Sequence, residues 1–182
     1  MFNILRPIIF KFSPEVAHSL AIKALKLNNI PYSKPKDNHI LETTFCEKKL
    51  SSPIGVAAGF DKNAEVYNPL FNLGFGFVEV GTITPKPQFG NPKPRVFRLE
   101  EDEALINRLG FNNSGSEEIS KRIKENNKKG FLGINIGPNK DSKDRVEDYL
   151  ICFRKFYNLA DYITINISCL LYTSPSPRDD SQ

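Results

Sequence analysis

The sequence predicts a parallel α/β sheet. Four runs of apolar residues, at 54–58, 77–84, 131–137 and 161–168, have the composition of strands buried on both faces. Segments with helical periodicity separate these runs, as expected for parallel strands joined by helical crossovers. Polar residues stand at or near the carboxyl ends of the runs. An open doubly wound sheet and a (β/α)8 barrel both fit this order, and both bind ligands at the carboxyl ends of their strands.

Length and composition are those of a soluble globular domain, with 182 residues of which 40% are hydrophobic. The net charge of +4 is compatible with an anionic small molecule or an acidic membrane surface, but is too small to indicate nucleic-acid binding. Cys46, Cys152 and Cys169 show no paired spacing, so we predict no disulfide framework and no metal site, and expect a reducing cytoplasm. We expect no transmembrane helix, signal peptide or transit peptide, because no apolar run approaches roughly 18 residues.

Residues 1–30 are predicted to form two short helices. Pro7 limits the first to a short helix or turn, and Ser13 followed by Pro14 opens the second as its N-cap and first residue. The second helix has one apolar stripe, with lysines nearby. Two interpretations stay open: the pair lies in the interface of a membrane with anionic lipids, or it packs on its own domain.

The first apolar run ends in a charged turn. It follows a proline- and charge-rich linker at 31–38 and a short predicted hairpin. The run, 54–58, breaks at Gly59 into the turn 60–63. Small residues at its end leave room for a flat ligand against the backbone, and Lys62 could reach an anionic group on that ligand. The alternative is a plain strand with a surface lysine.

The second run leads into a long, proline-rich loop. A helix at 64–73, interrupted by Pro69, is predicted before this run, which ends in threonine hydroxyls that include Thr82. The loop at 85–94 carries four prolines, and connections of this length are usually functional. A predicted hairpin at 95–106 then delivers the amide-rich segment 107–113. Such asparagines commonly only form turns, so a structural role and a binding role both stay open.

Two asparagines lie within the last two apolar runs. Helices predicted at 116–127 and 148–159 precede these runs, which contain Asn135 and Asn166. A buried asparagine amide must find partners, because leaving it unpaired costs a few kcal/mol. The partner is either neighbouring backbone or a bound polar heterocycle. The strand-end rule predicts that Lys62, Thr82, Asn135 and Asn166 share one rim of the sheet.

Six longer motifs are more specific than these patterns. They are Gly-Val-Ala-Ala-Gly-Phe-Asp-Lys from Gly55, Glu-Val-Gly-Thr-Ile-Thr-Pro-Lys-Pro-Gln from Glu79, Gly-Asn-Pro-Lys-Pro-Arg from Gly90, Ile-Asn-Arg-Leu-Gly-Phe-Asn-Asn from Ile106, Gly-Ile-Asn-Ile-Gly from Gly133 and Asn-Ile-Ser from Asn166. Over residues 2–168 the chain resembles the quinone-dependent, membrane-associated dihydroorotate dehydrogenases, flavin enzymes of pyrimidine (UMP) biosynthesis. The resemblance implies a (β/α)8 TIM barrel, about half of it present here, behind an N-terminal helical segment that associates with the membrane.

The resemblance also implies a chemistry and a set of site residues. A general base removes a proton from C5 of (S)-dihydroorotate, hydride passes from C6 to FMN to give orotate, and ubiquinone reoxidises the flavin. Residues 1–30 would hold the enzyme peripherally on the cytoplasmic face of a bacterial inner membrane. The implied FMN contacts are Ala58, Gly59, Phe60, Asp61, Lys62, Thr82, Asn135 and Asn166. The implied dihydroorotate contacts are Lys62, Asn107, Arg108, Leu109, Gly110, Phe111 and Asn166.

The pattern fails after Ser168. Cys169 occupies the position of the family's catalytic serine, but no Pro-Asn follows, so we interpret it as a coincidence at the start of a foreign, disordered tail, 169–182. The expected division is a helical segment and linker at 1–38, half a barrel at 39–168, and this tail. Without the other half, we expect weak or no FMN binding and no turnover. The alternatives are an inert membrane-binding fragment and a non-flavin barrel lyase that uses Lys62 for Schiff-base chemistry.

Overall fold

The computed structural model describes residues 2–27 and 39–168. The linker predicted at 31–38 and the tail that begins at Cys169 lie outside the described residues. The helices are α1 (Phe2–Ile9), α2 (Pro14–Lys26), α3 (Tyr67–Asn72), α4 (Ser116–Glu125) and α5 (Arg145–Phe156). The strands are β1 (Thr43–Phe45), β2 (Lys48–Leu50), β3 (Gly55–Val56), β4 (Phe77–Ile83), β5 (Val96–Leu99), β6 (Ala104–Asn107), β7 (Phe131–Ile136) and β8 (Tyr162–Ile165).

The predicted parallel sheet is present. Its four strands lie in the order β3-β4-β7-β8, and every neighbouring pair is parallel. Helix α3 connects β3 to β4, α4 lies between β4 and β7, and α5 connects β7 to β8. Two antiparallel hairpins, β1–β2 and β5–β6, stand outside the sheet at the places the sequence predicts. Because the strands follow chain order with helical crossovers, the carboxyl ends of all four point to one rim.

The core lies where the helices cover the outer face of the sheet. Buried apolar side chains of the central strands meet those of α3, α4 and α5. The fully buried members with the largest side chains include Tyr67, Phe156, Ile119, Leu132 and Ile134. The central strand β7 is buried at all six positions, which is the composition expected of a strand covered on both faces.

Several predicted boundaries are wrong, each for a local reason. The opening strand covers only Gly55–Val56 instead of 54–58. The following helix begins at Tyr67, not at 64, because Ala64 has a left-handed φ of 52° and cannot belong to a right-handed helix. Helix α1 is short, as predicted, with eight residues. It continues through Pro7 to Ile9, and Phe10 N donates to Arg6 O at 2.9 Å.

Helix α5 begins three residues earlier than the predicted 148. Asp144 is its N-cap, and its carboxylate accepts the Glu147 amide at 3.0 Å. The sequence Asp-Arg-Val-Glu, 144–147, is the spacing of a capping box, so this start was readable from the sequence.

An aromatic cluster and a buried aspartate hold the amino-terminal ends of the strands. The ring of Phe45 on the β1–β2 hairpin meets Phe131 and Tyr162 edge to face, at 5.7 and 6.1 Å between centroids. Asp161 pairs with Lys48 and with Lys128, and it accepts the Leu132 amide at 2.8 Å. The hairpin therefore closes the end of the sheet opposite the rim.

Helix α2 packs against the β5–β6 hairpin. Arg95, just before β5, donates to Glu15 Oε1 through Nε at 3.0 Å and Nη2 at 2.9 Å. Ile22 and Leu25 of α2 are buried, whereas Val16 and Leu20 remain 47% and 46% exposed. The helix thus packs on its own domain and also presents apolar residues outward. Within residues 2–27 and 39–168, no helix has the length and apolarity needed to cross a membrane.

Candidate active site

Three of the predicted rim residues form one chain of hydrogen bonds. Thr82 at the end of β4 donates from Oγ1 to Asn135 Oδ1 on β7 at 2.7 Å. Asn166, just after β8, donates from Nδ2 to Thr82 Oγ1 at 2.9 Å. Ser168 continues the chain, because its amide and its hydroxyl both donate to Asn166 Oδ1, at 3.0 and 2.5 Å. The prediction that Thr82, Asn135 and Asn166 meet on one rim is confirmed.

The turn after β3 is joined to the same rim through its backbone. Gly59 N donates to Gly81 O at 2.9 Å, and Gly81 N donates to Asp61 O at 3.1 Å. Gly59 has a φ of 103°, and a Cβ added there would meet nothing within 4 Å. The rim therefore has an open wall of backbone beside Thr82, as the small residues of this stretch predict.

Asp61 anchors this turn instead of facing outward. Its carboxylate is buried and accepts the amides of Glu65 at 2.8 Å and Val66 at 2.7 Å. Burial raises the pKa of Asp61, and the hydrogen bonds from these two amides oppose that shift. The role that the structure shows for the Asp61 side chain is to hold the turn, so only its backbone remains available to a ligand on the rim.

Lys62 lines a cavity beside the rim. The cavity has a volume of about 540 Å³ and lies between α2, the 59–63 turn and the β5–β6 hairpin. Burial lowers the pKa of Lys62. The negative charge of Glu15 raises this pKa, and the positive charge of Arg95 lowers it. None of the described hydrogen bonds joins the Lys62 side chain to Thr82, Asn135 or Asn166. Lys62 lines this adjoining cavity, whereas Thr82, Asn135 and Asn166 are not among the residues that line it.

His18 lies on the α2 side of the same cavity. Its Nε2 is 2.7 Å from Phe60 O, and its ring meets the Phe60 ring edge to face at 5.3 Å. Burial lowers the pKa of His18, and the charge of Lys62 lowers it further. A neutral imidazole at this position donates to the carbonyl and ties α2 to the turn that carries Lys62.

The segment 107–111 is also divided between two environments. Asn107 and Arg108 are exposed, and Asn107 pairs with Val96 in the hairpin. Leu109 lines the Lys62 cavity. The ring of Phe111, by contrast, reaches the rim, because a Cβ added to Gly137 would meet both this ring and the Thr82 methyl group.

Gln88 holds the middle of this segment in place. Its Nε2 donates to Gly110 O at 3.0 Å, and Gly110 and Phe111 have φ values of 71° and 51°. Left-handed backbone at two successive residues forms the tight turn that brings Phe111 to the rim.

Sequence reasoning missed several residues of this region. Glu79 accepts Asn135 Nδ2 at 2.9 Å and lies inside the sheet below the rim. Arg95 and Glu15 join the cavity walls. Asn112 has a buried Oδ1 with no partner among the described residues, and its side chain lines the Lys62 cavity. Of these residues, only Glu79 could have been noticed in the sequence, because it is a charged residue between two valines in a strand predicted to be buried.

The fold and these residues match a known family. The family model for dihydroorotate dehydrogenase matches residues 40–171. The dihydroorotate dehydrogenase (quinone) of Bartonella henselae is 52% identical over 163 residues, which are 90% of this chain and 45% of that protein. The corresponding protein of Rhizobium etli is 52% identical over 160 residues, covering 88% of this chain and 44% of its own length.

Solved structures give the same result. The Eimeria tenella DHODH in complex with ferulenol has a TM-score of 0.80 and 39% identity, covering 93% of this chain and 46% of that one. Its ligand-free form has a TM-score of 0.81 and 41% identity, covering 86% and 46%. The chain thus spans about half the length of the relatives it matches, and its parallel sheet is part of a TIM-barrel fold. This chain belongs to the dihydroorotate dehydrogenase family and corresponds to the N-terminal portion of its quinone-dependent class.

Proposed function

We propose that this chain carries the first part of a site that oxidises (S)-dihydroorotate to orotate, with FMN as the hydride acceptor and ubiquinone as the final electron acceptor. The observation that carries the proposal is the hydrogen-bonded chain Thr82–Asn135–Asn166 at the carboxyl ends of three neighbouring parallel strands. Ligands of (β/α)8 enzymes bind at this end of the barrel. Membership of the family supplies the reaction, which serves de novo pyrimidine synthesis.

The residues of the rim suit the edge of a flavin. Asn135 and Asn166 each use one amide N–H within the chain of hydrogen bonds and keep a second for an acceptor such as a ring carbonyl. The open space at Gly59 allows a flat ring to approach the backbone of the 58–62 turn. FMN, when bound, would supply the hydride acceptor. Ala58 to Lys62, Thr82, Asn135 and Asn166 would hold it.

Lys62 suits the carboxylate of dihydroorotate. Its side chain is half buried, and burial lowers its pKa, so its ammonium gains from an anionic partner that replaces water. Phe111 would close the rim beside Thr82, and the rest of the 107–111 segment would complete the substrate pocket. Family membership favours this role for Lys62 over Schiff-base chemistry, which borohydride trapping with a carbonyl substrate would reveal.

The two N-terminal helices suit a quinone entrance at a membrane. Outward apolar residues on this part of the chain include Ile8, Val16, Leu20 and Leu27, and the Lys62 cavity is walled by α2. Apolar burial combined with basic residues supports peripheral binding to anionic lipid. We propose that residues 1–30 bind the cytoplasmic face of a bacterial inner membrane. Flotation with anionic vesicles tests this, and Val16→Asp combined with Leu20→Asp is expected to abolish co-flotation while the fold persists.

A chimera tests the reaction. Residues 1–168 are joined to the C-terminal half of the Bartonella henselae relative, and the purified protein is assayed for bound FMN and for dihydroorotate-dependent reduction of a ubiquinone analogue. We expect a yellow protein with turnover, and Lys62→Ala is expected to raise the KM for dihydroorotate. Lys23→Ala, on the far side of the cavity, serves as the matched control. A chimera that binds FMN but is not reduced by dihydroorotate would contradict the proposed substrate.

A further inference from the structure

A carboxylate lies below the rim, inside the sheet. Glu79 on β4 accepts Asn135 Nδ2 at Oε1 and Thr164 Oγ1 at Oε2, both at 2.9 Å. Tyr162 is a third neighbour: burial raises the pKa of its phenol, and the charge of Glu79 raises it further, so the phenol keeps its proton. Glu79 is therefore surrounded by neutral donors from β7 and β8.

This carboxylate fixes the orientation of Asn135 and, through it, favours one direction of the Thr82 hydroxyl. An ionised carboxylate only accepts, so Asn135 must turn its amide nitrogen toward Glu79 and its oxygen toward Thr82. Thr82 then has to donate its hydroxyl proton to Asn135, and its oxygen is left to accept from Asn166. The orientation of Asn166 is fixed independently, because the Ser168 backbone N–H can only donate and meets Asn166 Oδ1 at 3.0 Å, which leaves the amide nitrogen of Asn166 facing Thr82.

We infer that Glu79 is a positioning residue that fixes the amide of Asn135 and, together with the Ser168 backbone N–H at the other end of this chain of hydrogen bonds, makes the rim a surface of donors. Asn135 and Asn166 each retain one amide N–H, so the ligand atoms that meet them are acceptors, such as carbonyl or carboxylate oxygens. The inference deepens the proposed function and rests on it for the identity of the ligand. The direction of the hydrogen bonds does not depend on any ligand.

The substitution Glu79→Gln tests the orientation of Asn135 without changing the size of the side chain. A glutamine can present either its oxygen or its amide nitrogen to Asn135, so both orientations of the Asn135 amide become possible. In the side-chain amide NMR spectrum of the 182-residue chain, we expect the Asn135 signals to shift or double. Asn166 does not touch Glu79 and is held by the Ser168 backbone N–H, so its signals are expected to stay single. Glu125→Gln, at an exposed position on α4, is the matched control and is expected to change neither signal.

The double variant Glu79→Gln, Thr82→Val also removes the second contact that orients Asn135. Valine offers Asn135 no hydroxyl, so the Asn135 signals are expected to double more strongly in the double variant than in Glu79→Gln. Unchanged Asn135 signals in the Glu79→Gln single variant would overturn the inference. If the variant does not fold, neutron diffraction from the unaltered chain decides: an Asn135 amide oxygen directed at Glu79 would also overturn it.

Discussion

Replacing Arg95 by methionine is expected to release α2 from the hairpin. The Arg95 side chain is 7% exposed, and besides its two bonds to Glu15 it donates from Nη1 to Phe89 O at 2.6 Å and to Asn91 O at 3.0 Å. Methionine keeps an unbranched apolar side chain close in length to the aliphatic part of arginine, and it removes all of these donors. The change therefore leaves Glu15 without its cation and two loop carbonyls without their donor.

The structure sets the size of the effect. Removing one partner of a buried ion pair costs about 3–5 kcal/mol, because the remaining charge stays partly dehydrated. The Glu15 side chain keeps 22% exposure and can regain some hydration, so we expect the lower end, about 3 kcal/mol. Arg154→Met is the matched control, since the Arg154–Glu147 pair at 3.5 Å is 68% and 48% exposed and should contribute less than about 1 kcal/mol.

Urea denaturation followed by circular dichroism measures the free energy of unfolding of both variants. Hydrogen exchange of the α2 amides shows whether the loss is concentrated there, as the contacts require. Equal destabilisation by Arg95→Met and Arg154→Met would refute the reasoning. A double-mutant cycle of Arg95→Met and Glu15→Gln separates the ion pair from the contacts of Arg95 with the loop carbonyls. Only the ion pair involves both residues, so only the ion pair contributes to the coupling energy of the cycle.

Three further predictions concern a close backbone contact, the reactivity of two cysteines and the stability of the fold in acid. Gly81→Ala should lower the free energy of unfolding, measured by urea denaturation, by about 3 kcal/mol, because the added Cβ would lie 2.4 Å from Asn135 O. Gly59 has a similar φ but open space around it, so Gly59→Ala should lower the free energy of unfolding clearly less. An alkylating reagent should modify exposed Cys46 and spare Cys152, whose pKa burial raises to about 12. The ionised Asp161 stabilises the fold at pH values above its unfolded pKa of 3.8, because its pKa in the folded state is lower. In an acid titration, this stabilisation should disappear as the pH falls through the folded pKa. Asp161→Asn should make the free energy of unfolding less dependent on pH in this range.

The sign of the Asp161 effect follows from opposing causes. Burial alone would raise the pKa of Asp161, but hydrogen bonds from Lys128 and Lys48 and from the Leu132 amide together lower it below 3.8. The folded state thus binds the proton less tightly than the unfolded state does. If the free energy of unfolding falls with decreasing pH equally in Asp161→Asn and in the unaltered chain, this account is contradicted.

The sheet could be predicted from sequence because strands buried on both faces have a distinctive composition. The runs that became β4, β7 and β8 are apolar over their whole length, and the rule that ligands bind at strand ends brought Thr82, Asn135 and Asn166 together correctly. The boundaries were less predictable because capping decides them. At Ala64 the backbone is left-handed, which no residue preference of alanine indicates.

The division of the site into a rim and a cavity could not be predicted, because it depends on contacts between distant segments. Glu15 and Arg95 are 80 residues apart in the chain, and no local pattern pairs them. The surroundings of Lys62 depend on that pair, because α2 forms the far wall of the Lys62 cavity. In the sequence, Glu79 could be recognised only as an unexpected charged residue in an apolar strand. Its hydrogen-bond partners on β7 and β8 could not be predicted, because they depend on how the strands pair in the sheet.

The contacts of Glu15 join the docking of α2 to the electrostatics of Lys62. Glu15 holds the Arg95 guanidinium, and its charge also raises the pKa of Lys62, whereas the charge of Arg95 lowers it. If α2 moves away, Lys62 loses the charge of Glu15 and gains water, while Arg95 stays with the hairpin. Because burial is the largest cause of the lowered pKa of Lys62, hydration returns this pKa toward the ordinary value, and the need of Lys62 for an anionic partner falls. The same helix presents Val16 and Leu20 outward. A force that displaces α2 at a membrane therefore acts on the lysine proposed to bind substrate.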